Sequence, residues 1–145
     1  MKTLYLLRHA KSSRDDHALK DFERPLADRG IRDVSKIASR LSKRGDKVDC
    51  VITSPALRAK TTAKMFADQI GFPADEVASN VELYFSGANM FLKEAMLLDE
   101  HCRSAMLVGH NPAITEFANR VCDGRINHIP TCGLLKLQFA VQHWE

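Results

Sequence analysis

The chain alternates between short apolar runs and longer stretches in which apolar residues recur every three or four positions. Three apolar runs have the length of buried strands: residues 3–7, 48–53 and 104–108. Four stretches have the periodicity of one-faced helices: residues 27–44, 55–70, 89–101 and 112–121. Between them, residues 72–89 form a looser segment, with a short strand predicted around Val81-Glu82-Leu83. Residues 135–141 alternate apolar and polar side chains, which predicts a half-exposed final strand at a sheet edge.

Serine or asparagine followed by proline begins two of these predicted helices, at Ser54-Pro55 and Asn111-Pro112. A short polar side chain suits the N-cap, and proline suits the first helical position because no backbone N–H is needed there. We therefore expect Ser54 and Asn111 to cap their helices, although Asn111 can instead position its neighbour His110. Gly71 is expected just past the C-terminus of the earlier helix.

Strands that alternate with helices predict a mainly parallel sheet covered by helices on both faces, a three-layer α/β/α fold. A length of 145 residues suits one domain spanning 1–145. In sheets of this kind ligands bind beyond the carboxyl ends of the strands. That rule selects three segments as the candidate site: residues 8–12, 54–58 and 109–112.

Composition narrows the choice of partners. The 21 basic and 18 acidic residues are interspersed and leave a net charge of only +3, which favours a solvated mixed surface over a nucleic-acid-binding stripe. The apolar run Leu4-Tyr5-Leu6-Leu7 is too short for a secretory signal or a membrane span. The four cysteines form no Cys-x-x-Cys pair, so reduced thiols and a cytoplasmic location are expected, without nucleic-acid or membrane partners.

The three predicted strand ends carry side chains that suit a phosphoryl group. Arg8 and His9 follow the first strand, Ser54 and Arg58 the second, and His110 the third. Arginine presents a fork of donors that matches phosphate oxygens, and a neutral imidazole can attack phosphorus. The histidines have no acidic neighbours in sequence, and the nearby cations oppose a divalent ion. No metal and no cofactor are therefore expected.

Four segments of the chain resemble, in order, the signatures of the histidine phosphatase superfamily, also called phosphoglycerate mutase-like. In that family they run Arg-His-Gly, Arg-Pro-Leu-x-x-x-Gly, Ser-Pro-x-x-Arg-Ala and Gly-His-Asn-Pro. Here they are Arg8-His9-Ala10, with alanine in place of glycine, Arg24–Gly30, Ser54–Ala59 and Gly109–Pro112. The short chain and its Arg-His-Ala-Lys-Ser-Ser segment are most similar to the small SixA-like phosphohistidine phosphatases.

The resemblance implies a phosphoglycerate mutase-like fold and a role for each matching residue. His9 would be the nucleophile and pass through a phosphohistidine intermediate. Arg8, Arg58 and His110 would bind the phosphoryl oxygens and stabilise the transition state. His9 would attack as a neutral imidazole with its other nitrogen held by a backbone carbonyl or a similar acceptor, and His110 would be an imidazolium.

Several roles stay open at this point. Many family members use an acid between the second and third motifs, and Glu82 lies in that region as either a general acid or a solvated carboxylate. Ser12 is either a phosphate donor or a loop serine, and Arg24 either faces the pocket or, as we favour, forms a structural ion pair. Thr61 stands where the family often has glutamine. Four other histidines are expected on the surface: His17, His101, His128 and His143.

The leading functional hypothesis is a metal-independent phosphatase acting on protein phosphohistidine. The alternatives are a phosphomonoesterase for a sugar or nucleotide phosphate, and a phosphate-binding module without turnover. Imidazole is a better leaving group than an alkoxide, so a missing general acid favours a nitrogen–phosphorus substrate. The expected partner is a phosphorylated protein or a small phosphate ester, and the sequence does not specify an oligomeric state.

Overall fold

The computed structural model describes residues 1–85 and 87–144 and contains five strands and five α-helices within them. Two residues of the predicted domain 1–145, Ser86 and Glu145, lie outside the described residues, and Ser86 also belongs to the predicted loose segment 72–89. The strands are β1 Lys2–Arg8, β2 Cys50–Thr53, β3 Ala78–Ser79, β4 Ser104–Gly109 and β5 Leu134–Phe139. The helices are α1 Asp28–Lys43, α2 Leu57–Ile70, α3 Glu82–Phe85, α4 Ala88–Met96 and α5 Ala113–Val121.

The strands form one sheet in the order β3-β2-β4-β1-β5, and every pair is parallel except β1 with β5. Alternate residues of β1 point to opposite faces of the sheet. Tyr5 and Leu7 pack with α1 and α2, whereas Leu4 and Leu6 pack with α4 and α5. The three-layer, mainly parallel α/β fold predicted from the sequence is thus confirmed, with β5 as the antiparallel edge strand.

Both predicted helix caps are wrong. Helix α2 begins at Leu57 and α5 at Ala113, and neither has a side-chain cap hydrogen bond. The hydroxyl of Ser54 instead lies 2.7 Å from His110 Nε2. The side-chain amide of Asn111 donates to the backbone carbonyl of Ile129 at 2.9 Å, and its Oδ1 accepts from the Thr115 hydroxyl. Both polar side chains are used at the sheet edge rather than at the helix ends.

The strand predicted around Val81-Glu82-Leu83 is also wrong, because these residues enter the helical turn α3. The Asn80 side chain accepts the backbone N–H of Glu82 at 2.9 Å, which favours a turn there. The strand lies just before it, where β3 pairs with Ile52 and Thr53 of β2. Helix α4 ends at Met96 instead of near 101, and none of the helices within residues 1–85 and 87–144 is long and apolar enough to cross a bilayer.

Gly30, in the first turn of α1, allows the helix to approach the loop that follows β1. A Cβ atom at this position would overlap the carbonyl oxygen of Lys11. The same oxygen accepts the N–H of Ala27 at 2.9 Å, so helix and loop are bonded as well as packed. This contact explains in physical terms why glycine ends the Arg-Pro-Leu-x-x-x-Gly segment.

Candidate active site

The carboxyl ends of β1, β2 and β4 bring the predicted site residues together, because these three strands are adjacent and parallel. The rings of His9 and His110 lie 5.1 Å apart between centroids. They line a pocket of about 210 Å³ that also contains Asn111 and Thr131. We call it the phosphoryl pocket; its other lining residues are Arg8, Lys11, Ser12, Arg14, Arg24 and Arg58.

The backbone of His9 is fixed on both sides. Its N–H donates to Gly109 at the end of β4, and its carbonyl accepts from Cys132, both at 3.1 Å. The ring Nδ1 lies 2.8 Å from the carbonyl oxygen of Ala10. Because a carbonyl only accepts, Nδ1 carries the proton and the lone pair belongs to Nε2. A neutral His9 therefore has the tautomer that a nucleophilic Nε2 requires.

The surroundings of His9 keep its imidazole neutral. Burial is the largest influence and lowers the pKa from 6.5 to about 4. The hydrogen bond to Ala10 opposes this shift, whereas the nearby positive charges of Arg58 and Arg8 add to it. At neutral pH the ring is thus unprotonated at Nε2, as nucleophilic attack on phosphorus demands.

Arg8 and Arg58 line the pocket, and each guanidinium is hydrogen-bonded to neighbouring residues. Arg8 Nη1 donates to the carbonyl of Ile129 at 3.0 Å and lies 3.1 Å from His128 Nε2. Arg58 Nη1 and Nη2 both donate to Asp21, at 2.7 Å to its backbone carbonyl and 3.0 Å to its carboxylate. These bonds orient both forks before any ligand binds, which reduces the entropic cost of binding.

Asp21 is a site residue that the sequence analysis missed. Besides Arg58, its carboxylate accepts from Arg24 at 3.1 Å and from the Tyr84 hydroxyl at 2.7 Å. Burial raises the pKa of Asp21, but the bonds from Tyr84 and the arginines outweigh it and lower the pKa to about 2. Asp21 is therefore ionised at neutral pH. No sequence signal separated it from other loop carboxylates.

His110 is oriented by Ser54. The Ser54 hydroxyl lies 2.7 Å from His110 Nε2 and accepts the N–H of Ala56 at 3.3 Å. The hydroxyl can accept a second hydrogen bond as well as donate one, so the direction of its bond to Nε2 follows the tautomer of the His110 ring. Burial, His9 and Arg58 lower the pKa of His110 to about 3, so the ring is neutral in the free pocket, and the imidazolium beside a bound phosphate stays a prediction.

Three buried side-chain nitrogens in the described part of the chain have no hydrogen-bond partner. They are Arg8 Nε, Arg58 Nε and His110 Nδ1. Buried donors are normally paired, and leaving one unpaired costs about 1–3 kcal/mol. All three belong to the residues predicted to bind phosphoryl oxygens. The two arginine nitrogens are donors, and a tetrahedral oxyanion supplies acceptors for them.

Ser12 and Arg24 are joined to each other at the edge of the pocket. Ser12 is buried, and its hydroxyl accepts from Arg24 Nη1 at 2.8 Å. Arg24 also forms the ion pair with Asp21, so the favoured structural pairing and the pocket position are both present.

Thr62, next to Thr61, donates to the Arg58 carbonyl at 2.7 Å and accepts the Ala10 N–H at 3.0 Å.

Glu82 lies on the exposed face of α3, and its catalytic role stays a prediction. The side chain of α3 that reaches the site is Tyr84, whose ring contacts His110 edge-on with centroids 5.6 Å apart. His128 is exposed as predicted, yet it lies against Arg8. Neither contact has a sequence signal, because both depend on how loops fold back over the sheet edge.

Across residues 1–85 and 87–144, no cluster of three or more His, Cys, Asp or Glu side chains is arranged to hold a metal ion. The donors around the pocket are mainly cationic, and such donors repel a divalent cation and attract an anion. The pocket therefore suits an oxyanion.

Several known proteins are similar to this chain in sequence or in fold. An uncharacterized chloroplastic protein of Arabidopsis thaliana is 30% identical over 99% of this chain and 69% of its own length. A provisionally named phosphohistidine phosphatase SixA from Agrobacterium tumefaciens is 26% identical, with a TM-score of 0.80 over 96% of this chain and 92% of its own. A protein histidine phosphatase SixA complexed with tungstate shares the fold, with a TM-score of 0.82 at 21% identity over 94% and 87%.

The family model of the histidine phosphatase superfamily (branch 1) matches residues 4–89, more than half of the chain. This range begins within β1 and continues through α1, β2 and α2, and so includes Arg8, His9 and Arg58. The chain belongs to the histidine phosphatase superfamily, and it is a phosphatase.

Proposed function

We propose that this phosphatase hydrolyses protein phosphohistidine through a phosphorylated His9. The observation that carries the proposal is the fixed tautomer of His9 together with three buried nitrogens beside it that are unpaired within the described residues. His9 Nδ1 is bonded to Ala10, which leaves the Nε2 lone pair for attack. Arg8, Arg58 and His110 each keep one buried nitrogen without a partner in the described chain, suited to the phosphoryl oxygens.

The reaction has two displacements at phosphorus. His9 Nε2 forms a bond to phosphorus while the bond from phosphorus to the leaving nitrogen breaks, and the departing imidazole takes up a proton. Water then attacks the phosphorus of phospho-His9, the bond to Nε2 breaks, and inorganic phosphate leaves. The water molecule releases one proton to solvent, which replaces the proton that the departing imidazole took from solvent. The guanidinium groups of Arg8 and Arg58 stabilise the negative charge in both steps.

The preference for a nitrogen–phosphorus bond is supported by the state of Asp21. It is the carboxylate bonded to Arg58, and its pKa of about 2 leaves no proton to give to a leaving alkoxide at neutral pH. An imidazole needs less help to leave than an alkoxide does. The structural similarity to the SixA proteins supports the same substrate class.

A direct test compares wild type with His9→Ala in the presence of EDTA. A phosphohistidine-bearing protein domain and p-nitrophenyl phosphate serve as substrates, and His101→Ala, at an exposed histidine, is the matched control. We expect His9→Ala to lose turnover of both substrates while still binding tungstate. Brief incubation of wild type with labelled substrate should give an acid-labile, alkali-stable phosphoenzyme. Equal turnover by wild type and His9→Ala would reject the mechanism.

Glu82 supports a second candidate, a phosphomonoesterase for small phosphate esters. A protonated Glu82 would be needed to release an alcohol, so Glu82→Gln would reduce turnover of alkyl phosphates by at least tenfold and spare phosphohistidine. Equal rates in Glu82→Gln and wild type on both substrates would remove Glu82 from the mechanism.

A cytoplasmic location stays a prediction, supported by four free cysteines.

A further inference from the structure

A second depression adjoins the phosphoryl pocket and shares two of its residues. It has a volume of about 260 Å³, and we call it the aromatic groove. His110 and Asn111 line both spaces. A substrate whose phosphoryl group lies beside His110 therefore has this groove within reach of the atoms bonded to phosphorus. The groove is lined mainly by Tyr84, Phe85, His110, Asn111, Pro112 and Glu116.

One wall of the groove is aromatic and held in place. The Tyr84 hydroxyl is bonded to Asp21 at 2.7 Å, which fixes the ring edge-on to His110. Phe85 packs edge-on against Tyr84 with centroids 4.7 Å apart, yet it is 75% exposed. A ring this exposed contributes little to the core and offers a flat apolar surface for a ligand.

The charge of the groove is opposite to that of the phosphoryl pocket. Five of the pocket's residues are arginines or a lysine, and its described lining includes no carboxylate. The described lining of the groove includes no arginine or lysine, and its acidic residue is Glu116 in the first turn of α5. Glu116 forms no ion pair with the described residues. Its charge therefore acts on whatever enters the groove.

We propose that the aromatic groove is the leaving-group subsite and that it selects planar groups that are uncharged or cationic. This inference rests on the proposed function, because it assumes that phosphorus sits in the phosphoryl pocket. The imidazole of phosphohistidine would lie against Tyr84 and Phe85. Glu116 would favour a basic residue beside the phosphohistidine and disfavour a substrate with a second anionic group.

The charge selection is tested with two phosphohistidine peptides that differ only in lysine or glutamate next to the phosphorylated residue. Exposed charge pairs change binding only modestly, so we expect wild type to prefer the lysine peptide by about fivefold in kcat/KM. Glu116→Gln should bring the ratio near one, and Glu116→Lys should invert it. Glu76→Lys, a charge reversal at an exposed residue outside both spaces, is the matched control and should keep the wild-type ratio.

The aromatic wall is tested with phenyl phosphate and methyl phosphate. Phe85→Ala should lower the ratio of kcat/KM for phenyl over methyl phosphate by about fivefold, since a ring–ring contact is lost. The exposure of Phe85 makes unfolding of the variant unexpected, and a thermal melt checks this. Phe85→Tyr keeps the ring and should retain the ratio.

The outcomes separate this inference from the proposed function. If Glu116→Lys leaves the peptide ratio unchanged, or Phe85→Ala leaves the aryl-to-methyl ratio unchanged, the groove is not the leaving-group subsite, even where His9 is essential. If His9→Ala retains turnover, the proposed function itself fails. A shift of both ratios, together with loss of activity in His9→Ala, supports both.

Discussion

Asp21 accepts two hydrogen bonds from the Arg58 guanidinium, one at the Asp21 backbone carbonyl at 2.7 Å and one at the Asp21 carboxylate at 3.0 Å. Asp21 is 55% exposed in its side chain, whereas that of Arg58 is 8% exposed. The acidic residue thus holds the buried cation from the solvent side. It fixes two nitrogens of the fork and leaves Nε without a partner among the described residues.

Replacing Asp21 with asparagine should lower kcat/KM by about tenfold to a hundredfold, because Arg58 keeps only the bond to the backbone carbonyl and loses the charged partner that holds its second nitrogen. The pKa of Asp21 is about 2, so the loss should be the same from pH 5 to pH 8. Steady-state kinetics and tungstate inhibition measure the effect. Asp68→Asn, at an exposed residue of α2, is the control. Equal kcat/KM and equal tungstate inhibition in the two variants would show that Asp21 does not position Arg58.

Ser54→Ala should reduce kcat about tenfold with a smaller change in KM, since His110 loses the hydrogen bond that orients its ring. The lost bond should also cost about 1 kcal/mol of unfolding free energy. Ser104→Ala removes a hydroxyl that donates to the Lys47 carbonyl at the opposite end of the sheet, and so provides a matched control. If both variants turn over equally, Ser54 has only a structural role.

Thr62→Val keeps the shape of the side chain but removes the acceptor of the Ala10 N–H. Thr62 is fully buried, so the orphaned N–H should cost about 1–3 kcal/mol of unfolding free energy. Because Ala10 also accepts from His9 Nδ1, kcat should fall as well. Thr62→Ser restores the hydroxyl and should recover kcat. Chemical denaturation and single-turnover rates measure the two effects, and failure of serine to restore the rate would contradict this role.

The stability of the protein should fall as the pH falls from about 6.5 to 3. In the folded state the pKa of His9 is about 4 and that of His110 about 3, whereas an unfolded imidazole titrates near 6.5. The unfolded chain therefore binds protons first, and protonation favours unfolding. The protonation of each ring should lower the free energy of unfolding by on the order of 2 kcal/mol across this pH range, after allowance for solvent contact.

His110→Gln should reduce this acid-dependent loss, whereas His101→Gln, at an exposed residue, should not. Urea denaturation at a series of pH values gives the free energy of unfolding for each protein. Above pH 7 the free energy of unfolding should change with pH equally in the variants and wild type, because the two rings do not titrate there. A slope for His110→Gln that matches wild type between pH 6.5 and 3 would contradict the assignment.

The fold and the arrangement of His9, His110, Arg8 and Arg58 follow from local sequence features. Buried strands are short apolar runs, and parallel strands bring their carboxyl ends to one edge of a sheet. Residues that come directly after such runs must therefore meet, however far apart they lie in the chain. Their roles in catalysis stay proposals until the variants are made.

The contacts that the sequence did not predict depend on loop conformation. Asp21 lies in a turn whose path to Arg58 follows from packing, and Ser54 resembles a helix cap until His110 is seen beside it. The strand predicted around Val81 fails because Asn80 bonds the backbone locally and starts a helical turn. Short polar side chains have several local and distant partners available, and only the folded structure decides between them.

The backbone of His9, the proposed nucleophile, is part of the hydrogen-bonded sheet edge, since it is bonded to Gly109 on one side and to Cys132 on the other. A phosphoryl group transferred to Nε2 in the proposed reaction would modify a ring whose backbone is held in place. The free and the phosphorylated enzyme should share a single main-chain conformation. A protein that contacts this surface would then distinguish the two forms by the added charge itself, and not by a change of shape.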